Sequence, residues 1–311
     1  MSSVASTSAD NPPRGAANPM RRYLHTNGAT KSNETQAPYA LVTGTTGGMG
    51  EEWAKQLAAL GFNIILQGRN RSKLETVQSA IAVATPSAQT RLLVTEATIY
   101  PNEHLTQELT SLLSDPEVRL TVVINNLGTA NAHFPLLEEE TSETIAQVII
   151  SNTIFPAEVT RICLPHLKRH EPSLLAVVSS IGVWATPPYV SPYIGTKGFD
   201  LGFCQSLYNE MIAEKRDVDV TCLVPGQVIS GMLDAPESLM IPTSEGWTRA
   251  AIQSLAPGMW NFWSVKPGVC IVPHRWQYWA TVVTSFLPAG VTRRLAIGIA
   301  KGLKEGAAKK K

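Results

Sequence analysis

The segment from Tyr39 to Leu60 constrains the fold more than any other part of the chain. Tyr39-Ala-Leu-Val42 is a short apolar run, as expected of a parallel strand buried on both faces. Thr43-Gly-Thr-Thr-Gly-Gly-Met-Gly50 follows it. The next stretch, Glu51 to Leu60, repeats large apolar groups at helical spacing through Trp53, Leu57 and Leu60. Strand, glycine turn and helix in that order are what a dinucleotide pyrophosphate requires. Gly44 permits the tight turn, while Gly48 and Gly50 let backbone and helix approach closely. The free N–H groups at the helix start then face the negative charge. This reading makes Gly44, Thr45, Thr46, Gly48, Met49 and Gly50 cofactor-binding candidates. A glycine-rich loop without a ligand is the other reading. A P-loop does not fit, because no Gly-Lys-Ser/Thr follows.

The same alternation continues. Strands are predicted at 39–43, 63–66, 91–94, 120–125, 175–179 and 218–224. Helices are predicted at 48–60, 72–84, 102–114, 141–168 and 192–214. Short apolar strands alternating with helices predict an α/β fold with a doubly wound parallel sheet. Of the 311 residues, 44% are hydrophobic, ample for one core, so residues 37–275 are expected to form a single domain. The formal charge of +1 comes without a basic block, which argues against nucleic acid as a partner. Cys163, Cys204, Cys222 and Cys270 show no Cys-x-x-Cys spacing and read as reduced, intracellular thiols. No metal site is expected: His166 and His170 read as a basic helix end.

Tyr193 and Lys197 lie four residues apart in Ser191-Pro-Tyr-Ile-Gly-Thr-Lys197, which begins as a helix begins. They would share one helix face. An ammonium beside the phenol would stabilise the phenolate that proton transfer leaves behind. Taken alone, such a pair also fits a solvated helix face.

Thr-Gly-x-x-x-Gly-x-Gly at 43–50 together with Tyr-x-x-x-Lys at 193–197 resembles the short-chain dehydrogenase/reductase family. Asn125-Asn-Leu-Gly128 is similar to that family's Asn-Asn-Ala-Gly. Ser180 precedes Tyr193 by 13 residues, and Asn152 follows Asn126 by 26, as the family's serine and helix asparagine do. Pro225-Gly-Gln-Val-Ile-Ser230 resembles the Pro-Gly segment after the sixth strand. The resemblance runs from about Pro38 to about His274. It implies an NADPH-dependent carbonyl reductase, with Tyr193 as proton donor, Ser180 polarising the carbonyl, and Lys197 on the nicotinamide ribose. Asn152 would anchor a water. It implies further cofactor contacts at Asn126, Tyr193, Lys197, Pro225, Gly226, Val228 and Ser230. A catalytically silent, NADP-bound regulatory or scaffold protein on the same fold is the alternative.

NADP rather than NAD is expected from Leu66-Gln-Gly-Arg-Asn70. Gly68 stands where NAD enzymes place an acid, and Arg69 follows with a guanidinium suited to a 2′-phosphate. Glu96 is a weak substitute for the family's adenine-contacting aspartate.

The ends are less ordered in pattern. Residues 1–36 are rich in Ser, Ala, Asn, Thr and Pro and read as a disordered tail. Arg14, Arg21 and Arg22 also allow a mitochondrial transit peptide. Residues 226–265 are expected to cover the pocket, with Met232, Leu233, Leu239, Met240, Trp247, Met259, Trp260 and Trp263 facing a hydrophobic substrate. The resemblance is nearest to very-long-chain 3-oxoacyl-CoA reductases and 17-beta-hydroxysteroid dehydrogenases. It implies a 3-oxoacyl thioester, ketosteroid or secondary-metabolite ketone, and an endoplasmic reticulum association, with cytoplasm and mitochondrion as alternatives. The extension 276–311 is apolar, then basic. Trp276 to Thr292 carries no charge and precedes Arg293 and Arg294. It reads as an interfacial helix making peripheral membrane contact, or as a homodimer or core contact.

Overall fold

The computed structural model describes residues 18–27, 35–131, 133–255 and 269–308. Seven strands form one parallel sheet: β1 (Tyr39–Val42), β2 (Asn63–Gly68), β3 (Thr90–Val94), β4 (Leu120–Asn125), β5 (Ser173–Val178), β6 (Val218–Leu223) and β7 (Cys270–Ile271). Their spatial order is β3-β2-β1-β4-β5-β6-β7. The order reverses direction between β1 and β4. In open α/β sheets ligands bind at that switch point, beyond the carboxyl ends of the strands.

Helices cover both faces: α1 (Gly48–Ala59), α2 (Arg71–Ala84), α3 (Glu103–Ser114), α4 (Ser142–Ile149), α5 (Phe155–Arg169), α6 (Gly182–Ala185), α7 (Ser191–Ala213) and α8 (Ser244–Ser254). Two more follow at the end, α9 (Arg275–Ser285) and α10 (Ala289–Ala308). Side chains alternate from the strands into two cores. Leu41, Val123, Leu175 and Cys222 enter one, under α3, α5 and α7. Val42, Ile64, Val122 and Leu223 enter the other, with Trp53 and Leu57 of α1 and Trp247 of α8. Each large apolar side chain removed from water there contributes roughly 1.5–3 kcal/mol. β1, β2, β4 and β5 are buried along their whole length, which explains why they read as apolar runs rather than alternating ones.

Three expectations differ from the structure. Residues within the tail read as disordered are in place: Met20 and Tyr23 are buried in the second core. Arg22 pairs with Asp217 and, at 3.1 Å, with Asp219, which also accepts the Tyr23 hydroxyl at 2.9 Å. A run of polar residues around two aromatic or thioether anchors masked them in composition. The predicted helix 141–168 is α4 and α5 joined by a π-helical turn, Ile150–Ile154. Trp247, expected on the lid, is fully buried on α8 against the α1 side of the sheet. Met232, Leu239 and Met240 are exposed as a cover would require. Met259, Trp260 and Trp263 lie outside the described residues.

Candidate active site

The first turn is built by close approach. Gly44 has φ +72° and Gly48 φ +59°, conformations that L side chains rarely adopt. A Cβ on Gly50 would stand 2.1 Å from Gly44 O, so α1 sits directly on the turn. Gln67, fully buried at the end of β2, fixes the turn from below. Its Oε1 accepts from Gly44 N at 3.0 Å, and its Nε2 donates to Thr95 O at 3.1 Å. Thr45 N and Oγ1 both donate to Gln67 O. Ser230 approaches from the opposite wall, 3.2 Å from where a Gly48 Cβ would be.

Thr43 couples this turn to β4. Its Oγ1 accepts from Asn126 N and Leu127 N, each at 3.0 Å, and its carbonyl accepts from Asn126 Nδ2 at 3.2 Å. Thr43 and Gln67 were not singled out in the sequence. The glycines signal the turn, but nothing in a lone Thr or Gln marks a staple.

These residues fit a dinucleotide. α1 has Gly47 as its N-cap and so no side-chain cap, which leaves its first N–H groups open to an anion. Asn126 Oδ1 is buried and has no hydrogen-bond partner among the described residues, an acceptor placed beside Gly50. Arg69 is largely exposed and borders a cleft with Asn70, Val94, Thr95 and Glu96. Its Nη1 lies 3.5 Å from Glu96 Oε2. Hydrogen bonds from the Thr98 backbone and side chain, with the Arg69 charge, hold Glu96 below its ordinary range despite burial. Glu96 therefore serves as the partner of Arg69. A Cβ at position 68 would meet Thr46 Cγ2 at 2.8 Å, so an acid there would have to displace Thr46.

The second half of the site lies past β4 and β5. Asn152 sits in the π-helical turn, a backbone feature found frequently at functional sites. Its Nδ2 donates to Thr129 O at 2.8 Å and Thr196 Oγ1 at 3.0 Å; its Oδ1 accepts from Thr129 N at 2.8 Å. The amide thus clamps the loop after β4 to α7. Ser180 follows β5 and is half-buried; its Oγ accepts from Gly182 N at 3.1 Å, the first turn of α6. Ser179 Oγ donates to Lys197 O at 2.8 Å and ties α7 to the same strand.

Tyr193 and Lys197 share one face of α7, with Nζ 5.9 Å from the Tyr193 ring centroid. The lysine is buried. Nζ donates to Val178 O at 2.7 Å and to Asp200 Oδ2 at 3.0 Å. Burial opposes its charge, but Asp200 and then Tyr193 favour it, and the ammonium is held above its ordinary range. Asp200 was not anticipated: read from the sequence, the Lys197 side chain served Tyr193 and the nicotinamide ribose, with no carboxylate partner. Gly128 leaves room for the lysine, since a Cβ there would stand 3.3 Å from Nζ and 3.9 Å from Asn152 Oδ1.

The Pro-Gly segment closes the far side. Pro225 O accepts from Ile181 N at 2.8 Å, Gly226 N donates to Gln277 Oε1 at 2.9 Å, and Val228 is buried in the second core. Gln277 of α9 also donates to Gln227 O at 2.8 Å and Met240 O at 3.1 Å. Within the expected membrane stretch, Gln277 and Thr281 therefore face inward, and Gln277 holds the site wall. No cluster able to hold a metal occurs among the described residues.

Residues 38–238 match the model of the short chain dehydrogenase family. The chain belongs to that family. A very-long-chain 3-oxoacyl-CoA reductase of Mycosarcoma maydis is 31% identical over 73% of this chain, and the match spans 64% of the relative's length. A protein of the same name from Coccidioides immitis is 28% identical, covering 86% of this chain and 74% of the relative. Among solved structures, a short-chain dehydrogenase from Sphingobium yanoikuyae in complex with NADPH superposes with TM-score 0.64 at 19% identity, covering 81% of this chain and 97% of that one. A structure described as a 7beta-hydroxysteroid dehydrogenase reaches TM-score 0.68 at 16% identity, covering 83% of this chain and 96% of that one. These two likenesses concern the fold.

Proposed function

We propose that this short-chain dehydrogenase is an NADPH-dependent reductase of a ketone on a hydrophobic substrate. A 3-oxoacyl thioester is the first candidate, after the relatives' names; a ketosteroid or secondary-metabolite ketone is the alternative substrate class. The observation that carries the reading is the convergence of Tyr193, Lys197 and the Asn152 clamp beside the glycine cradle of β1 and α1. Gly44, Thr45, Thr46, Gly48, Met49, Gly50 and Asn126 would hold the pyrophosphate side, and Arg69 the 2′-phosphate. Pro225, Gly226, Val228 and Ser230 would border the nicotinamide side.

When bound, NADPH supplies the hydride. Tyr193 Oη gives its proton to the carbonyl oxygen, which Ser180 Oγ polarises by a hydrogen bond. Lys197 holds the ribose and places positive charge beside the developing phenolate. The Asn152 amide is engaged at both ends, so its part is to set the gap between the loop after β4 and α7. A bridging water that returns the proton would bind the widened backbone of the π-helical turn. The intact Ser180, Tyr193 and Lys197 set disfavours a silent scaffold.

Membrane contact belongs to the same reading. Trp276, Trp279 and Val283 are exposed on α9, Phe286 is exposed at its C-terminal end, and Val291, Leu295 and Ile299 are exposed on α10, which also carries Arg293 and Arg294. Such a surface suits an anionic bilayer interface. No helix among the described residues is long and apolar enough to cross a membrane. NADPH oxidation measured against 3-oxoacyl-CoA esters, ketosteroids and secondary-metabolite ketones tests the function. Turnover of a hydrophobic ketone is expected; NADPH binding with no turnover of any of them would favour the silent scaffold.

A further inference from the structure

We propose that Asp200 is a positioning residue for Lys197, a buried carboxylate that keeps the ammonium charged and fixed at the carboxyl end of β5. The inference rests on the reading of Lys197 as the holder of the nicotinamide ribose. The two residues are three apart on α7, with Nζ 3.0 Å from Oδ2 and relative exposures of 4% and 1%. An ammonium has three protons to donate. Val178 O takes one and Asp200 takes another, so both anchors lie inside the protein. One proton remains for a ribose hydroxyl.

A buried ammonium with only a neutral acceptor sheds its proton rather than remain charged. The groups facing this pair support Asp200 as the countercharge. Tyr193 and Cys204 lie on α7 itself, and Cys222 of β6 and its register partner Cys270 of β7 lie opposite. The Cys222 thiol is held well above its ordinary range, chiefly by the Cys204 sulfur, so it stays neutral. Asp200 itself is raised by burial, and Lys197 counteracts this. Loss of the Asp200 charge would remove the largest opposition to desolvation, leaving Tyr193 as the lesser one, and bring the Lys197 proton loss down in pH.

The test is NADPH affinity, read by fluorescence from pH 7 to 10, for wild type, Asp200→Asn, Asp200→Glu and Lys197→Met. Asp200→Asn is expected to begin losing NADPH affinity at a lower pH than wild type, and a fall of about two units in the Lys197 pKa opens a gap of about tenfold by about pH 10. Asp200→Glu, which keeps the charge, is expected to return the wild-type pH profile. Profiles for Asp200→Asn and wild type that run parallel, with Lys197→Met still weakening NADPH, overturn this inference alone. Unchanged binding by Lys197→Met overturns the ribose assignment and this inference with it. Should Asp200→Asn fail to fold, the double variant Lys197→Met, Asp200→Leu decides. A folded double variant supports the pairing; one that unfolds while Lys197→Met stays folded shows a role for Asp200 independent of Lys197.

Discussion

Replacing Gly50 by alanine should damage both the fold and nucleotide binding, for a reason visible in distances. The added Cβ would stand 2.1 Å from Gly44 O, 2.7 Å from Gly44 C and 2.8 Å from Asn126 Nδ2. Ordinary non-bonded contact is about 3.5–4.0 Å, so α1 must withdraw from the turn by about 1 Å. Two of the three obstacles are backbone, which cannot rotate aside. Overpacking of this kind costs about 1–3 kcal/mol. The retreat also carries the α1 N–H groups away from the phosphate. Loss of one charge-assisted bond, about 1.5–3 kcal/mol, would raise the NADPH Kd about 10- to 150-fold. Gly202→Ala on α7 is the control, since nothing lies within 4 Å of its Cβ position. Alanine in an open helix interior gains up to about 1 kcal/mol over glycine. Thermal unfolding and fluorescence titration with NADPH read both effects. A lower Tm and weakened binding are expected for Gly50→Ala, and an unchanged or higher Tm for Gly202→Ala. Wild-type Tm and Kd in Gly50→Ala would refute the close docking of α1 on the turn.

Arg69→Ala should weaken NADPH by about 10- to 150-fold while leaving NADH unchanged, because only the 2′-phosphate loses a charge-assisted contact; equal changes in both Kd values would remove Arg69 from the cofactor site. Trp279→Glu with Phe286→Glu should release the protein from anionic liposomes in sedimentation without lowering Tm, since both side chains are exposed; undiminished binding would rule out these side chains as the contact. Removal of 276–311 is a poorer test, because it also deletes Gln277 from the site wall. His170 is buried, which lowers its pKa to about 4 from an ordinary 6.5. The unfolded chain therefore binds the extra proton first, and stability present above pH 6.5 is lost as pH falls toward 4. The loss is on the order of 3 kcal/mol, and His170→Gln should flatten it in a pH series of urea unfolding.

Much of this was legible in the sequence where local chemistry decides conformation. The glycines at 44, 48 and 50 mark the turn because no other residue allows that approach. Six of the seven strands appear as apolar runs because both faces of the sheet are covered, whereas β7 is only Cys270–Ile271 and too short to mark itself. Contacts that depend on distant partners were not legible. Asp200, Gln67, Thr43 and Gln277 are ordinary polar residues until the fold places an ammonium, a carbonyl or an amide against them. The uncharged stretch from Trp276 to Thr292 likewise hid a break at Phe286–Pro288, which separates α9 from α10. Composition cannot tell an apolar stripe from an apolar segment with inward polar residues.

Tyr193 as the proton donor is the central claim, and one substitution addresses it directly. Tyr193→Phe keeps the ring on α7 beside Lys197 and removes only the transferable proton. NADPH-dependent reduction of a 3-oxoacyl-CoA, or of whichever ketone the wild type turns over, should fall by about 10²- to 10⁴-fold. NADPH affinity should stay within about threefold of wild type. A variant that binds NADPH normally and keeps more than about a tenth of the wild-type rate would contradict Tyr193 as the acid.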